Sequence, residues 1–128
     1  MTEKLVNIVC EEHSLQHDQL VDFRYLSGVL ELVLASSHAD KTNKIRVVFD
    51  WVHSFRVTDE GDLLKMQDEL NGQMLKGVYT IEGSHYLTWF NEQSANIHEG
   101  GSIAHYLIVT GEDVIDVLSS VSPTIMSC

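Results

Sequence analysis

Ile45-Arg46-Val47-Val48-Phe49-Asp50-Trp51-Val52-His53-Ser54-Phe55-Arg56-Val57 is the stretch on which the fold turns. Ile45, Val47, Phe49, Trp51, His53, Phe55 and Val57 fall on one side; Arg46, Val48, Asp50, Val52, Ser54, Arg56 and Thr58 fall on the other. Side chains alternate across a strand, so large residues at period two predict a long half-buried strand or a bent pair of strands. His53 lies on the apolar side and reads as a core histidine with a hydrogen-bond partner.

Moving outward, Gly28 to Ala35 is a second strand with Leu30, Leu32 and Leu34 on one face. Val21, Phe23 and Tyr25 form a strand before it, turning at Ser27-Gly28, and the polar run 37–43 leads into the long strand. Leu5 to Val9 is a short strand. Downstream the period changes. Thr58-Asp59-Glu60-Gly61-Asp62 resembles a helix start, with acids where the dipole favours them. Leu63, Leu64, Met66 and Leu70 then predict one short amphipathic helix near residues 61–71, stopped by Asn71-Gly72.

The last third reads as β again. Val78 to Ile81 and His85 to Phe90 flank Glu82-Gly83-Ser84, the composition of a hairpin turn. Ser94 to Ser102 is a polar loop. Ile103 to Val109 is apolar on both faces, as in a central strand, and Thr110-Gly111-Glu112-Asp113 turns it back into Val114 to Leu118. The tail after Ser119 is weakly specified. These elements make a mainly β chain of seven or eight strands and one short helix. The economical architecture is an antiparallel sheet curled into a sandwich or half-barrel.

Residues 1–128 are expected to form a single domain, since 128 residues with 44% apolar content support one core, and no linker or repeat divides them. The start of the chain lacks the basic head and apolar run of a signal peptide, and no segment is apolar for long enough to cross a bilayer. Cys10 and Cys128 are expected to be free thiols in a cytoplasmic protein.

Charge is the stronger functional signal. The chain carries a net charge of −11, and Gly77 to Cys128 contains neither lysine nor arginine. That segment holds Glu82, Glu92, Glu99, Glu112, Asp113 and Asp116, a charge of −6, while the preceding 76 residues set eight bases against thirteen acids. Such a field repels nucleic acid and anionic membrane and attracts a basic partner. Tyr86 and Trp89, beside Tyr79 and Tyr106, lie among these acids, and aromatics amid carboxylates suit a protein-binding surface.

Catalytic and metal chemistry have little to build on. His13 and His17 have i, i+4 spacing, but the residue after His13 is Ser14 where a zincin helix carries glutamate, so a solvated polar loop is the default. There is no G-x-S-x-G elbow and no phosphate-binding glycine loop. Ser54 beside His53, Ser84 beside His85, and Cys10 near His13 are neighbours in sequence, which defines no triad. No metal, no cofactor and no enzymatic activity are expected.

Two stretches resemble a known group. Val47 to Leu64 is similar to an aromatic strand followed by an FR-x-x-DE-x-D turn, here Phe55-Arg56-Val57-Thr58-Asp59-Glu60-Gly61-Asp62. His105-Tyr106-Leu107-Ile108-Val109-Thr110 through Val114-Ile115-Asp116-Val117-Leu118, with Pro123 and Ile125, resembles a closing hairpin. Both are features of small acidic bacterial immunity proteins of polymorphic or contact-dependent growth inhibition toxin systems. The resemblance covers about a third of the chain, and its motifs are strand and turn chemistry. It implies binding and neutralisation of a cognate toxin domain by occluding its active site, and the charge fits a cationic nuclease.

The candidate toxin-binding residues are Glu99, Glu112, Asp113, Glu82, Glu92, Asp116, Tyr86 and Trp89. Asp116 alternates with Val114 and Leu118, which also suits an inward, structural role. The alternative function is a small-molecule-binding or catalytic β domain whose cavity uses Trp51, His53 and Phe55.

Overall fold

The computed structural model describes residues 3–10, 14–17, 19–36, 43–59, 76–97 and 101–127. Nine strands occupy most of them: β1 (Lys4–Asn7), β2 (Gln19–Leu26), β3 (Val29–Ser36), β4 (Asn43–Phe49), β5 (Val52–Asp59), β6 (Gly77–Glu82), β7 (Ala104–Val109), β8 (Asp113–Ser119) and β9 (Thr124–Ser127). One helix, α1 (His85–Gln93), lies between β6 and β7. The strands form a five-stranded sheet in the order β1-β6-β7-β8-β5 and a four-stranded sheet in the order β2-β3-β4-β9. Every pairing is antiparallel. The mainly β sandwich expected from the sequence is the architecture of the chain.

The long alternating stretch is the bent pair, and the bend moves the chain from one sheet to the other. Ile45, Val47 and Phe49 on β4 are buried, as their alternation requires. The chain then crosses at Asp50-Trp51 into β5. There the phase slips. β5 pairs Val52 with Ser119 and Ser54 with Leu118, leaving His53 as an extra residue at a bulge. Trp51 and Val57, expected inward, are 54% and 47% exposed. Trp51 instead sits on the β2–β3 turn, where Ser27 and Gly28 both take positive φ (51° and 85°). That is the backbone of a two-residue hairpin turn, and a Cβ at Gly28 would lie 3.6 Å from the Trp51 ring.

The core lies between the sheets. Leu30, Leu32, Leu34, Ile45, Val47 and Phe49 from the four-stranded sheet pack with Val78, Tyr106, Ile108, Ile115 and Val117 from the five-stranded one. Phe49 meets Tyr106 across the gap with ring centroids 5.3 Å apart. At one side the edge strands β2 and β5 approach, and Phe55 packs on Phe23 and Tyr25. β7 is the central strand its composition predicts. Its second face, with Leu107 and Val109, joins Ile81 and Val114 in a smaller cluster on the outer side of the sheet.

Two expectations need correction. His85 to Phe90 is not a strand and Glu82-Gly83-Ser84 is not a hairpin turn: β6 ends at Glu82, and α1 begins after Ser84. Ser84 has extended backbone angles, and its side chain accepts from the Leu87 N–H, the geometry of a helix N-cap. Aromatic and β-branched composition favoured a strand here, and the cap outweighed it. The tail is also ordered: β9 pairs with β4, Ile125 opposite Val47. The helix expected near residues 61–71 falls outside the described residues.

Phe49 is fully buried and bridges the two sheets. Phe49→Ala is expected to destabilise the fold by about 3–5 kcal/mol, measured by urea unfolding monitored by circular dichroism.

Candidate functional site

The outer face of the five-stranded sheet carries a chain of polar contacts that starts at the α1 cap. The Leu87 N–H donates to Ser84 Oγ at 2.9 Å. Ser84 Oγ is 2.6 Å from His105 Nδ1, and His105 Nε2 is 2.7 Å from Asp116 Oδ1. Arg56 Nε donates to Asp116 Oδ2 at 2.9 Å. The directions close consistently when the Ser84 O–H donates to Nδ1 and the Nε2–H donates to the carboxylate. Strand register places these partners: Arg56 lies opposite Asp116, and His105 lies opposite Leu118, diagonal to Asp116. Ser84, His105 and Asp116 are all at least nine-tenths buried.

Serine, histidine and aspartate in hydrogen-bonded sequence invite comparison with a hydrolase triad. Three observations count against it. Ser84 Oγ is occupied as the helix cap. Its imidazole contact is through Nδ1, with the carboxylate on Nε2, the reverse of the serine-protease arrangement. Neither Ser84 nor His105 lines the adjoining cleft. The chain of contacts is best described as the tether that fixes α1 to the sheet.

The cleft itself has a volume of about 560 Å³. β5 contributes Ser54, Phe55 and Arg56; α1 contributes His85, Tyr86 and Trp89; Glu3 precedes β1. The Arg56 guanidinium carbon lies 4.2 Å from the centroid of the Tyr86 ring. Tyr86 stacks on Trp89 (centroids 5.9 Å apart, 25° between planes), and its hydroxyl is hydrogen-bonded to Ser54. Burial pushes the Tyr86 phenol above its ordinary range and the Asp116 charge adds to this, while the Ser54 hydrogen bond and Arg56 pull the other way. Helix α1 has no acid in its first turn. Glu3 supplies one from outside, its Oε2 accepting from the His85 N–H at 3.0 Å.

The sequence-derived candidates separate into two groups. Glu82, Glu92, Tyr86 and Trp89 lie at the α1 end of the five-stranded sheet. Glu112 and Asp113 lie at the β7–β8 turn, with Asp59 opposite Asp113 in register. A six-residue strand separates the two ends by roughly 20 Å. Glu82, Glu92 and Glu112 are exposed and Asp113 is partly so. Trp89 is 51% exposed, although its composition suited a core position. Tyr86 is buried and touches the cleft through its ring. Asp116 is buried and held by two partners, so its carboxylate is structural and leaves the set that meets a partner. Glu99 lies outside the described residues.

Of the cavity residues in the alternative reading, Phe55 lines this cleft; Trp51 and His53 meet each other edge-on, and His53 approaches Phe90. His17 is not on a solvated loop. It is 2% exposed, with Nε2 2.8 Å from the Ser14 carbonyl and Nδ1 without a hydrogen-bond partner among the described residues. Among the described residues no group of three metal-ligating side chains occurs. Arg56 and Glu3 are cleft positions that sequence reasoning missed. Arg56 carried a signal, as an arginine on the polar side of β5 two residues after Ser54; Glu3 carried none.

Asp116→Ala strands the buried His105 ring and frees Arg56, with an expected loss of about 3 kcal/mol; Ser84→Ala removes the cap and should cost about 1–2 kcal/mol. Chemical unfolding of both variants checks this. The raised Tyr86 pKa makes the protonated phenol a stabilising species. That contribution is complete below the ordinary value of 10.0 and is lost as pH rises through the higher folded-state value. Between those two values the melting temperature is expected to fall more steeply with pH for the wild-type chain than for Tyr86→Phe. No protein-family model matches this chain, and no match was found among curated proteins or solved structures.

Proposed function

We propose that this chain is an immunity protein. It is a non-enzymatic inhibitor that binds a cognate cationic toxin domain, a nuclease in the reading favoured by the charge, and occludes its active site in the bacterial cytoplasm. The observation that carries the reading is electrostatic. The segment after Lys76 has no lysine or arginine, and the fold leaves Glu82, Glu92 and Glu112 exposed. The three arginines are already committed: Arg24 pairs with Asp22 at 2.9 Å and Arg56 with Asp116 at 2.9 Å. Arg46 forms an ion pair with Glu31 at 2.6 Å. Lys4 lies opposite Glu82 in the β1–β6 register, and the remaining exposed acids still leave an excess of carboxylates. Such an excess speeds encounter with a basic protein, and the carboxylates stand in for the phosphates of a nucleic-acid substrate.

The burial of Ser84, His105 and Asp116 away from the cleft supports a role without chemistry of its own. Among the described residues no helix is long and apolar enough to cross a membrane. The cleft volume favours one second reading, a small-molecule site, because about 560 Å³ falls within the range of such pockets.

The test is co-expression with the C-terminal domain encoded by the neighbouring upstream gene. That domain is expected to arrest growth alone and to be harmless with this chain. Affinity of the purified pair is expected to fall at least about tenfold between low and high salt, measured by calorimetry. An affinity that does not change with salt removes the electrostatic argument, and turnover of a substrate by the purified chain removes the inhibitor reading.

A further inference from the structure

Helix α1 is charged in the direction that disfavours it. Its first turn has no acid and its last turn no base, while Glu92 sits in the last turn, where the helix dipole is already negative. Glu92 is exposed. His85, Trp89 and Glu92 follow i, i+4, i+7 spacing and form one stripe of the helix surface. Trp89 on that stripe is half exposed, and Glu3, whose carboxylate meets His85 at the start of the stripe, lines the same cleft.

Beneath the stripe, the molecule already shows how it holds a cation. The Arg56 guanidinium lies on the Tyr86 ring, and Tyr86 is stacked with Trp89. Guanidinium and indole both meet the Tyr86 ring, and the indole remains half exposed. A tryptophan face is the best aromatic receptor for a guanidinium or ammonium group, and nearby carboxylates strengthen the attraction.

Building on the immunity-protein reading, we propose that the α1 stripe is the contact surface for the basic partner. A partner arginine or lysine side chain seats on Trp89 between Glu3 and Glu92. The carboxylates at the far end, Glu112 and Asp113, then act at a distance and steer the encounter. The two roles differ kinetically: a central aromatic anchor governs dissociation, and a peripheral charge governs association. The position of Glu92 fits this division, because a carboxylate at a helix C-terminus is kept at some cost to the fold.

Two measurements test the proposal. In the first, Trp51→Phe leaves Trp89 as the only fluorophore of its type, and the chain is titrated with acetylated tri-arginine amide. A saturable change in Trp89 emission, lost in Glu92→Lys and absent with tri-glutamate, is expected. No saturable change, or a response to the anionic peptide, overturns the proposal. In the second, surface plasmon resonance follows binding of the neighbouring toxin domain. Trp89→Ala is expected to raise the dissociation rate about 30-fold. Glu112→Lys is expected to slow association several-fold with little effect on dissociation. Circular dichroism confirms that each variant is folded. Glu92→Gln is expected to raise the melting temperature by about 1–4 °C while weakening binding, a combination that a purely solvating role does not give. Wild-type dissociation by Trp89→Ala overturns the α1 surface. If the wild-type chain does not bind the toxin domain but the tri-arginine response holds, the toxin assignment falls and the cation site on Trp89 stands.

Discussion

The hydrogen-bonded run from the α1 cap through His105 and Asp116 to Arg56 is the constraint on which the outer face depends. It connects three elements that are distant in sequence: the start of a helix, the central β7–β8 hairpin and the edge strand β5. Each member satisfies its neighbour. The helix N–H fills the serine oxygen, the serine and the carboxylate fill the two ring nitrogens, and the arginine fills the second carboxylate oxygen. Buried polar groups are tolerated when their partners are complete, and a network of this kind fixes one arrangement over near alternatives. Here it fixes the position of α1, and so the position of Trp89 and the width of the cleft.

The sandwich beneath provides the rigid support. Its two sheets are joined by the crossing at Asp50-Trp51 and again after β8, where the chain returns through Pro123 to β9. β4 is therefore held on both sides, by β3 and β9. The five-stranded sheet buries residues on both of its faces in the centre, which explains why β7 and β8 are apolar almost throughout. A polar network set into such a sheet is shielded from water, and its hydrogen bonds are correspondingly strong.

The sandwich was legible in the sequence because its strands obey local rules. Alternation placed β3 and β4, continuous apolarity placed β7, and Ser27-Gly28 placed the first hairpin. The phase slip at His53 was not legible, since a bulge depends on the register with β8 and leaves no mark in β5 alone. The helix at His85 was misread for a different reason. Tyr86, Leu87, Thr88, Trp89 and Phe90 have the composition of a strand, and the deciding signal was a single capping serine. Of the site, the exposed acids and Trp89 were found from charge and composition. The pairing of Arg56 with Asp116, 60 positions apart, and of Glu3 with His85, 82 positions apart, arises only from tertiary structure.

That last contact bears on how the chain is assembled. β1 has its partner in β6, and Glu3 reaches the helix that follows it, so the amino-terminal strand emerges from the ribosome long before anything it pairs with. Vectorial synthesis cannot begin with this edge. The hairpin of β2 and β3 is local and is available first, whereas the sheet that carries the cleft closes only after residues near 119 have been made, since β5 finds its partner in β8. Loop closure over that span makes the outer face a late product of folding, and its acidic surface comes into being together with the strand that opens the chain.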